Sequence, residues 1–523
     1  MCGITFFLNK FVNNHTNVLK HRGPDSSLIY KNDDVTMCFD RLMINDLTEG
    51  GNQPFEINNC VLICNGEIFN HELLQYKYGF KTISQSDCEI IIHMYLYLKE
   101  RNSNIYEIIH DLCNILDGEF AFCLYDKMQD FVIFARDPFG VRPLFFDTNT
   151  FGFASEMKAF IDHTKVQQFP PGSFALLSDY TNFSFIFPYI SIGKTTYTYD
   201  DPETILLNIN TLLTNSVKKR LISDRSICCL LSGGLDSSLV ASLVSKYSTE
   251  QVKTFSIGLE GSPDLYYAQQ VADYINSDHT CITLSKEQFL ESIEHVIKTI
   301  ESYDTTTVRA SVGNYLVCKY ISENSDSKVV FNGDYADEVC GGYKYFENCP
   351  NYDEFHNECC RLVKDICYFD SLRSDRTISS NGLEGRVPFA DKYFVEYYLS
   401  IHPMLRMTSN NDNIEKYLLR KSFENDKLLP DSILWRKKEA FSDGVSKPEN
   451  SWSDIISNFI DEQVSDEEFN DNKSNHFIEF KLKETYFYYK IYKKYYSNDK
   501  IIPYLWMPKY CSNQVDDPSA RKI

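Results

Sequence analysis

The chain has two textures. Up to residue 190, short apolar runs recur at 4–8, 61–64, 120–125, 131–135 and 151–154. Runs of this length, rich in Phe, Ile, Val and Tyr and bounded by turn chemistry, predict strands. The turn signals are Asn13-Asn14, Asp33-Asp34, Gly50-Gly51 and Pro170-Pro171-Gly172. One helix is predicted over 88–98, with Asp87 as its N-cap. Many strands with few helices predict an antiparallel α+β layering.

The segment 188–202 is polar and loop-like, and the domain boundary is placed there. Beyond it the pattern changes. Helical periodicity at 202–221, 237–247 and 265–275 alternates with short apolar strands at 226–231, 252–257, 280–283 and 328–332. That alternation predicts βαβ units and a parallel sheet. After about residue 345 the chain reads as mostly helical. Residues 461–476 are acidic and polar and are expected to form a mobile insertion; 483–496 reads as an amphipathic helix. The expected organisation is therefore a first domain over 1–190 and a second over 200–523.

Composition narrows the function classes. With 523 residues, 43% hydrophobic and 24% charged, the chain is globular and too long for one ordinary domain. Its net charge of −21 disfavours nucleic acid or an anionic membrane as the main partner. No apolar run approaches the roughly 18 to 20 residues of a spanning helix, and the N-terminus does not read as a signal peptide. The 17 cysteines are scattered without zinc-ligand spacing, so reduced, mostly buried thiols in a cytoplasmic protein are expected.

Candidate chemistry begins at Cys2. A small residue after Met1 permits removal of the methionine, which would place a thiol and a free α-amino group on one residue. An α-amine with a pKa of about 7.7 to 8.0 is a usable base near neutral pH, and it accepts the thiol proton to give a nucleophile. Four further motifs follow in order: His21-Arg22-Gly23-Pro24-Asp25, Asp40-Arg41-Leu42, Asn65-Gly66-Glu67-Ile68-Phe69-Asn70 with Ser86-Asp87, and Asp117-Gly118-Glu119-Phe120. Together they resemble the class II glutamine amidotransferases. The resemblance implies a four-layer αββα fold of the N-terminal-nucleophile type and glutamine hydrolysis through Cys2. Arg41 would take the glutamine α-carboxylate in its planar fork, and Asp87 its α-ammonium. Asn65 and the Gly66 N–H would face the developing oxyanion, and Glu67 would help hold the substrate.

The second constellation is Ser232-Gly233-Gly234-Leu235-Asp236-Ser237-Ser238, at the end of an apolar strand and the start of a helix. Backbone N–H groups in such a turn form an anion nest beside a helix N-terminus. The Ser232, Ser237 and Ser238 hydroxyls add donors, and Asp236 suits a magnesium ion. The loop lacks the Lys-Ser or Lys-Thr of a Walker loop and resembles the ATP-pyrophosphatase signature. Further matches are Phe255-Ser256-Ile257-Gly258-Leu259, Tyr303-Asp304-Thr305-Thr306-Thr307-Val308-Arg309, Gly382-Leu383-Glu384-Gly385-Arg386-Val387-Pro388-Phe389, Arg436-Lys437-Lys438-Glu439-Ala440-Phe441 and the tail Asp517-Pro518-Ser519-Ala520-Arg521. With these the chain resembles the glutamine-hydrolysing asparagine synthetases over nearly its full length.

That resemblance implies synthesis of asparagine from aspartate, glutamine and ATP. Leu230 and Ile257 would frame the adenine, and Asn332 and Gly333 would lie near nucleotide and aspartate. Asp236 and Asp337 would share Mg2+. Lys438 would balance pyrophosphate charge, with Thr306, Thr307 and Arg309 in the same region. It also implies a homodimer and an apolar ammonia passage. The alternatives are a ligase for another acid and a non-catalytic homologue. One departure bears on them. Where the family shows Ser-Gly-Glu-Gly-(Ala or Ser)-Asp-Glu, this chain has Asn332-Gly333-Asp334-Tyr335-Ala336-Asp337-Glu338. Asp334 is one methylene shorter than the acid expected to assist ammonia attack, and Tyr335 is strained if the replaced glycine held positive φ.

Overall fold

A computed structural model describes the chain except residues 11–17, 179–181, 184, 194–195, 440, 512–515 and 520–523. The predicted turn at Asn13-Asn14, Ala440 and the tail residues Ala520 and Arg521 lie outside the described residues. The chain forms two compact units: 1–191 with 222–225 and 379–384, and 192–221 with 226–378 and 385–523.

The first unit is built on two antiparallel sheets. One runs in the order Val166–Gln168, Phe145–Asp147, Phe153–Ala154, Gly3–Leu8, Val35–Arg41, Ser26–Lys31. The other runs Asn182–Phe183, Ser173–Ser178, Phe131–Arg136, Gly118–Asp126, Cys60–Ile68, Phe55–Ile57. Side chains alternate across a strand, and the sequence uses both faces. Ile4, Phe6 and Leu8 meet Val61, Ile63, Ala121 and Cys123 between the sheets. Leu62, Cys64, Phe122 and Leu124 face the opposite way, onto the helices Ile90–Lys99 and Ile105–Ile115. Beyond the other sheet, Phe160, after the short turn Met157–Ala159, packs edge-on against Phe7. The described helices thus cover one sheet and a 3-10 turn the other, over the stacked sheet pair of the expected αββα fold.

The second unit is organised by a sheet in the order Asp278–Leu284, Lys253–Leu259, Ile227–Leu230, Val329–Phe331, Glu384–Arg386. The first four strands pair in parallel. The helices Leu235–Tyr247 and Pro263–Ile275 make the crossovers. Strand order reverses at Ile227–Leu230, whose neighbours are Lys253–Leu259 and Val329–Phe331. In open α/β sheets, ligands bind beyond the strand C-termini at such a reversal. Those C-termini lead directly into Leu231-Ser232-Gly233 and Asn332-Gly333.

Three local expectations are corrected. Asp87 is not the N-cap of the helix starting at Ile90; it lies in the short 3-10 turn Asp87–Glu89, and its Oδ2 accepts from the Ile68 N–H at 2.6 Å. The strand expected over 151–154 is confined to Phe153–Ala154. The acidic stretch 461–476 contains a helix, Asp466–Asn472, because the Ser465 side chain caps it by accepting from the Glu468 N–H.

Candidate active site

In the first unit, alternation aims the motif residues at one place. Cys2 precedes the strand carrying Ile4, Phe6 and Leu8, and it packs on the same inter-sheet core. Asn65 and Glu67 continue the Val61 and Ile63 face of Cys60–Ile68. The Cys2 thiol lies 3.8 Å from the Leu42 carbonyl oxygen, and Arg22 Nε donates to the Cys2 carbonyl at 2.9 Å. Burial pushes the Cys2 thiol up to about 11. The α-amine of Met1 is buried 3.6 Å from Glu384, and burial lowers its pKa below the ordinary value.

Asn65 is fully buried, and neither its Oδ1 nor its Nδ2 has a hydrogen-bond partner. A buried amide left unpaired is costly and rare, so this one is an open donor–acceptor pair. At Gly66 a Cβ would meet the Glu119 carbonyl oxygen at 2.4 Å, which explains the glycine. Arg41 is buried and donates to Thr48 O at 2.8 Å, Asn52 Oδ1 at 2.9 Å and Asn45 O at 3.2 Å. None of these is a carboxylate, so its charge has no ion-pair partner in contact among the described residues. Asn45 Nδ2 donates to Glu67 at 2.6 Å and reaches Asp87 at 3.4 Å, tying both acids to the Arg41 loop.

In the second unit, one cavity gathers most of the remaining motif residues. Leu230, Ser232, Gly234, Asp236, Ser237, Ile257, Thr306, Asn332, Gly333, Asp334, Asp337 and Lys438 all line it. The Gly233 turn has φ +73, and a Cβ there would strike the Ala268 N at 2.5 Å. Ser237 Oγ bonds the Ser232 N–H at 3.1 Å and the Ser232 hydroxyl at 2.9 Å. Gly234 leaves the following helix without a side-chain cap, so its first-turn N–H groups stay open. A Cβ on Gly333 would meet the Ser237 N at 2.6 Å, so glycine lets the two loops touch.

Asp236 and Asp337 share a cation that the motifs did not single out. Lys416 Nζ lies 2.5 Å from Asp236 Oδ2 and 2.5 Å from Asp337 Oδ1. Lys438 Nζ lies 2.5 Å from Asp337 Oδ2 and 3.9 Å from Asp236 Oδ2. Burial raises the Asp337 pKa, but Lys416 and Lys438 outweigh it and hold the carboxyl well below the usual range. Burial alone would lower the Lys416 pKa; Asp236 and Asp337 raise it.

The family model for asparagine synthase matches residues 208–351 and 347–500, and that for the glutamine amidotransferase domain matches residues 1–184. Asparagine synthetase [glutamine-hydrolyzing] of Gallus gallus is 40% identical over 97% of this chain and 94% of its own length. The Mus musculus enzyme of that name matches equally, at 40% over 97% and 94%. A probable asparagine synthetase of Acanthamoeba polyphaga mimivirus is 38% identical over 99% of both chains. The chain belongs to the glutamine-hydrolysing asparagine synthetase family.

Four predicted site residues of this unit, Gly233, Ser238, Thr307 and Arg309, are placed outside the cavity lining. Arg309 was expected near pyrophosphate, yet its guanidinium is taken up by two carboxylates: Nε and Nη2 reach Glu484 at 2.8 and 2.6 Å, and Nη1 reaches Asp517 at 2.8 Å. Thr307 bonds its own N-cap, Asp304, through Oγ1 at 2.7 Å. Ser238 is fully buried in the helix interior. Besides Lys416, motif reading missed Arg373, which meets Asp334 Oδ1 at 2.7 Å and Asp370 Oδ1 at 3.0 Å; Arg436, quoted in a motif but given no role, donates to the Gly233 carbonyl at 3.0 Å and pairs with Asp264 at 3.1 Å. A solitary basic residue such as Lys416 or Arg373 carries no sequence signal.

The carboxylate pair fits a hard cation. Asp236 Oδ1 is buried with no hydrogen-bond partner, and oxygen is the donor that magnesium prefers.

Proposed function

We propose that residues 1–190 act as a glutaminase and 200–523 as an ATP-dependent synthetase, together converting aspartate, glutamine and ATP into asparagine, glutamate, AMP and pyrophosphate. The observation that carries the reading is the pairing of Asp236 and Asp337 with Lys416 and Lys438 at the strand C-termini where the parallel sheet reverses. Such a cluster is neutral alone. Offered a polyphosphate, the lysines exchange carboxylate for phosphate oxygens, and the carboxylates hold Mg2+. The metal, when bound, neutralises phosphate charge.

In the glutaminase half, Cys2 is the nucleophile. Arg41 and Asp87 hold the α-carboxylate and α-ammonium of glutamine, and Glu67 supports the bound substrate. Asn65, whose amide is unpaired, and the Gly66 N–H stabilise the oxyanion on the way to a thioester. In the synthetase half, Leu230 and Ile257 frame adenine. Ser232, Gly233, Gly234, Ser237 and the Leu235–Tyr247 helix N-terminus cradle phosphate, with Ser238 beneath them. Asn332 and Gly333 border the nucleotide. Thr306, whose Oγ1 is buried and unpartnered, faces the pyrophosphate region with Lys438. Thr307 and Arg309 support that region from behind, through the helix Thr305–Asn324. The aspartate β-carboxylate attacks the α-phosphorus, pyrophosphate leaves, and ammonia displaces AMP from the acyl-adenylate while Asp334 serves the attack. The reading includes a homodimer, by family resemblance, and a cytoplasmic location, which the 17 free cysteines favour.

The test is AMP and asparagine formation with aspartate and ATP, once with glutamine and once with ammonia. Equal AMP and asparagine with either donor is expected. AMP formed only with a different acid would overturn the substrate.

A further inference from the structure

The loop that departs from its family is laced to one helix by three successive side chains. Asn332 Nδ2 donates to Ser374 Oγ at 2.8 Å, Asp334 Oδ1 accepts from Arg373 Nη2 at 2.7 Å, and Tyr335 Oη donates to Ser371 Oγ at 2.8 Å. Ser371, Arg373 and Ser374 all belong to the helix Asp370–Ser379. Tyr335 sits at φ +78, ψ −16, a conformation L side chains rarely adopt, and is 1% exposed. A non-glycine residue in that region persists only where its surroundings hold it. The hold is visible: the phenol is buried and bonded, and the Tyr335 carbonyl accepts from the Val339 N–H at 3.1 Å as the helix Ala336–Cys340 begins.

The backbone turn at Tyr335 sets the direction in which Asp334 leaves the loop. A carboxylate one methylene shorter than glutamate reaches Arg373 because the loop is drawn towards the helix on both sides of it, at Asn332 and at Tyr335. Arg373 is itself fixed by Asp370, with Nε at 3.1 Å.

We propose that Tyr335 is a positioning residue of the synthetase site: its hydroxyl, anchored on Ser371, replaces the conformational freedom of a glycine with a fixed left-handed turn that aims the shorter Asp334 at Arg373 and the reacting acyl group. This assignment rests on the synthetase reading above. Tyr335 makes its contribution through Asp334, so it acts on the ammonia step and not on formation of the adenylate.

The experiment compares Tyr335→Phe and Ser371→Ala with the unaltered full chain. Two rates are measured for each, with ammonia as donor: aspartate-dependent ATP–pyrophosphate exchange and asparagine formation. Thermal denaturation is followed in parallel. Losing one neutral hydrogen bond is expected to lower asparagine formation by about three- to tenfold while exchange stays within about twofold. The Tyr335→Phe/Ser371→Ala double variant should lose no more than either single one, because the two changes break the same bond. A merely structural bond would lower both rates together and follow the denaturation temperature; that result, or unchanged asparagine formation in both single variants, overturns the proposal. Absence of aspartate-dependent exchange in the unaltered chain would instead overturn the synthetase reading, so the two failures are distinct.

Discussion

At the scale of single residues, the group proposed as nucleophile is the Cys2 thiol. Burial pushes it up to about 11, so near neutral pH it keeps its proton. In the chain that retains Met1 the amine belongs to Met1 and lies beside Glu384, not on Cys2. Removal of Met1 transfers the amine to Cys2 itself and supplies the missing base. Active protein should therefore have the intact mass of the chain lacking Met1, and its Cys2 should alkylate faster at neutral pH than in a chain held at Met1. Full glutaminase activity with Met1 in place would refute this. Cys2→Ala should abolish glutamine-dependent synthesis and leave ammonia-dependent synthesis intact.

Asp264 makes a pH prediction at the same scale. Burial raises its pKa from 3.8 to about 7, although Arg436 opposes the shift. The folded pKa exceeds the unfolded one, so the folded state holds a proton that the unfolded state releases. Asp264 therefore contributes stability fully below about pH 4 and loses it as pH rises towards about pH 7. Asp264→Asn should flatten that part of the profile, read as denaturation temperature at about pH 5 and about pH 8. An unchanged slope would show that Arg436 holds Asp264 ionised throughout.

At the scale of elements, Arg309 shows how packing reassigns a motif residue. Glu484 and Asp517 lie 175 and 208 positions away in sequence and together consume the guanidinium. Breaking such a buried pair costs about 3–5 kcal/mol, because the remaining charges stay buried. Arg309→Ala should thus lower the denaturation temperature markedly, and ATP use per folded molecule should fall far less. The βαβ alternation and the inter-sheet strands were legible, since periodicity reports which face of an element is buried. Other elements were missed. The helix Ile105–Ile115 carries a legible apolar stripe at Ile108, Ile109, Leu112 and Cys113. By contrast, His71–Tyr78 buries only His71 and Leu74, too little to leave a pattern. Asp87 was wrongly made a cap, because sequence does not say which N–H a carboxylate will find. Lys416 was invisible for the same reason: its value comes from Asp236, 180 positions earlier.

At the scale of the whole molecule, the two chemistries belong to two compact units with separate sheets. Cys2, Arg41, Asn65 and Asp87 fall in one, and Asp236, Asp337, Lys416 and Lys438 in the other. Changes to the second set should silence ATP chemistry without reaching the thiol. Asp236→Asn removes one carboxylate from Lys416 and from the proposed Mg2+ site; Lys438→Ala removes a cation from Asp337 and from the proposed pyrophosphate site. Either should slow pyrophosphate release with aspartate and ATP by roughly a hundred- to a thousandfold, the equivalent of about 2.7–4 kcal/mol for one preorganised electrostatic contact. Glutamate release from glutamine should persist in both. The Asp236→Asn defect should also leave Lys416 over-supplied with positive charge, so the Asp236→Asn/Lys416→Met double variant is expected to lose less than the two single losses combined, as for any pair in direct contact. Strict additivity would mean that Lys416 serves the phosphates alone. Pyrophosphate release near the unaltered rate in Lys438→Ala would return that lysine to the role of a counter-ion for Asp337.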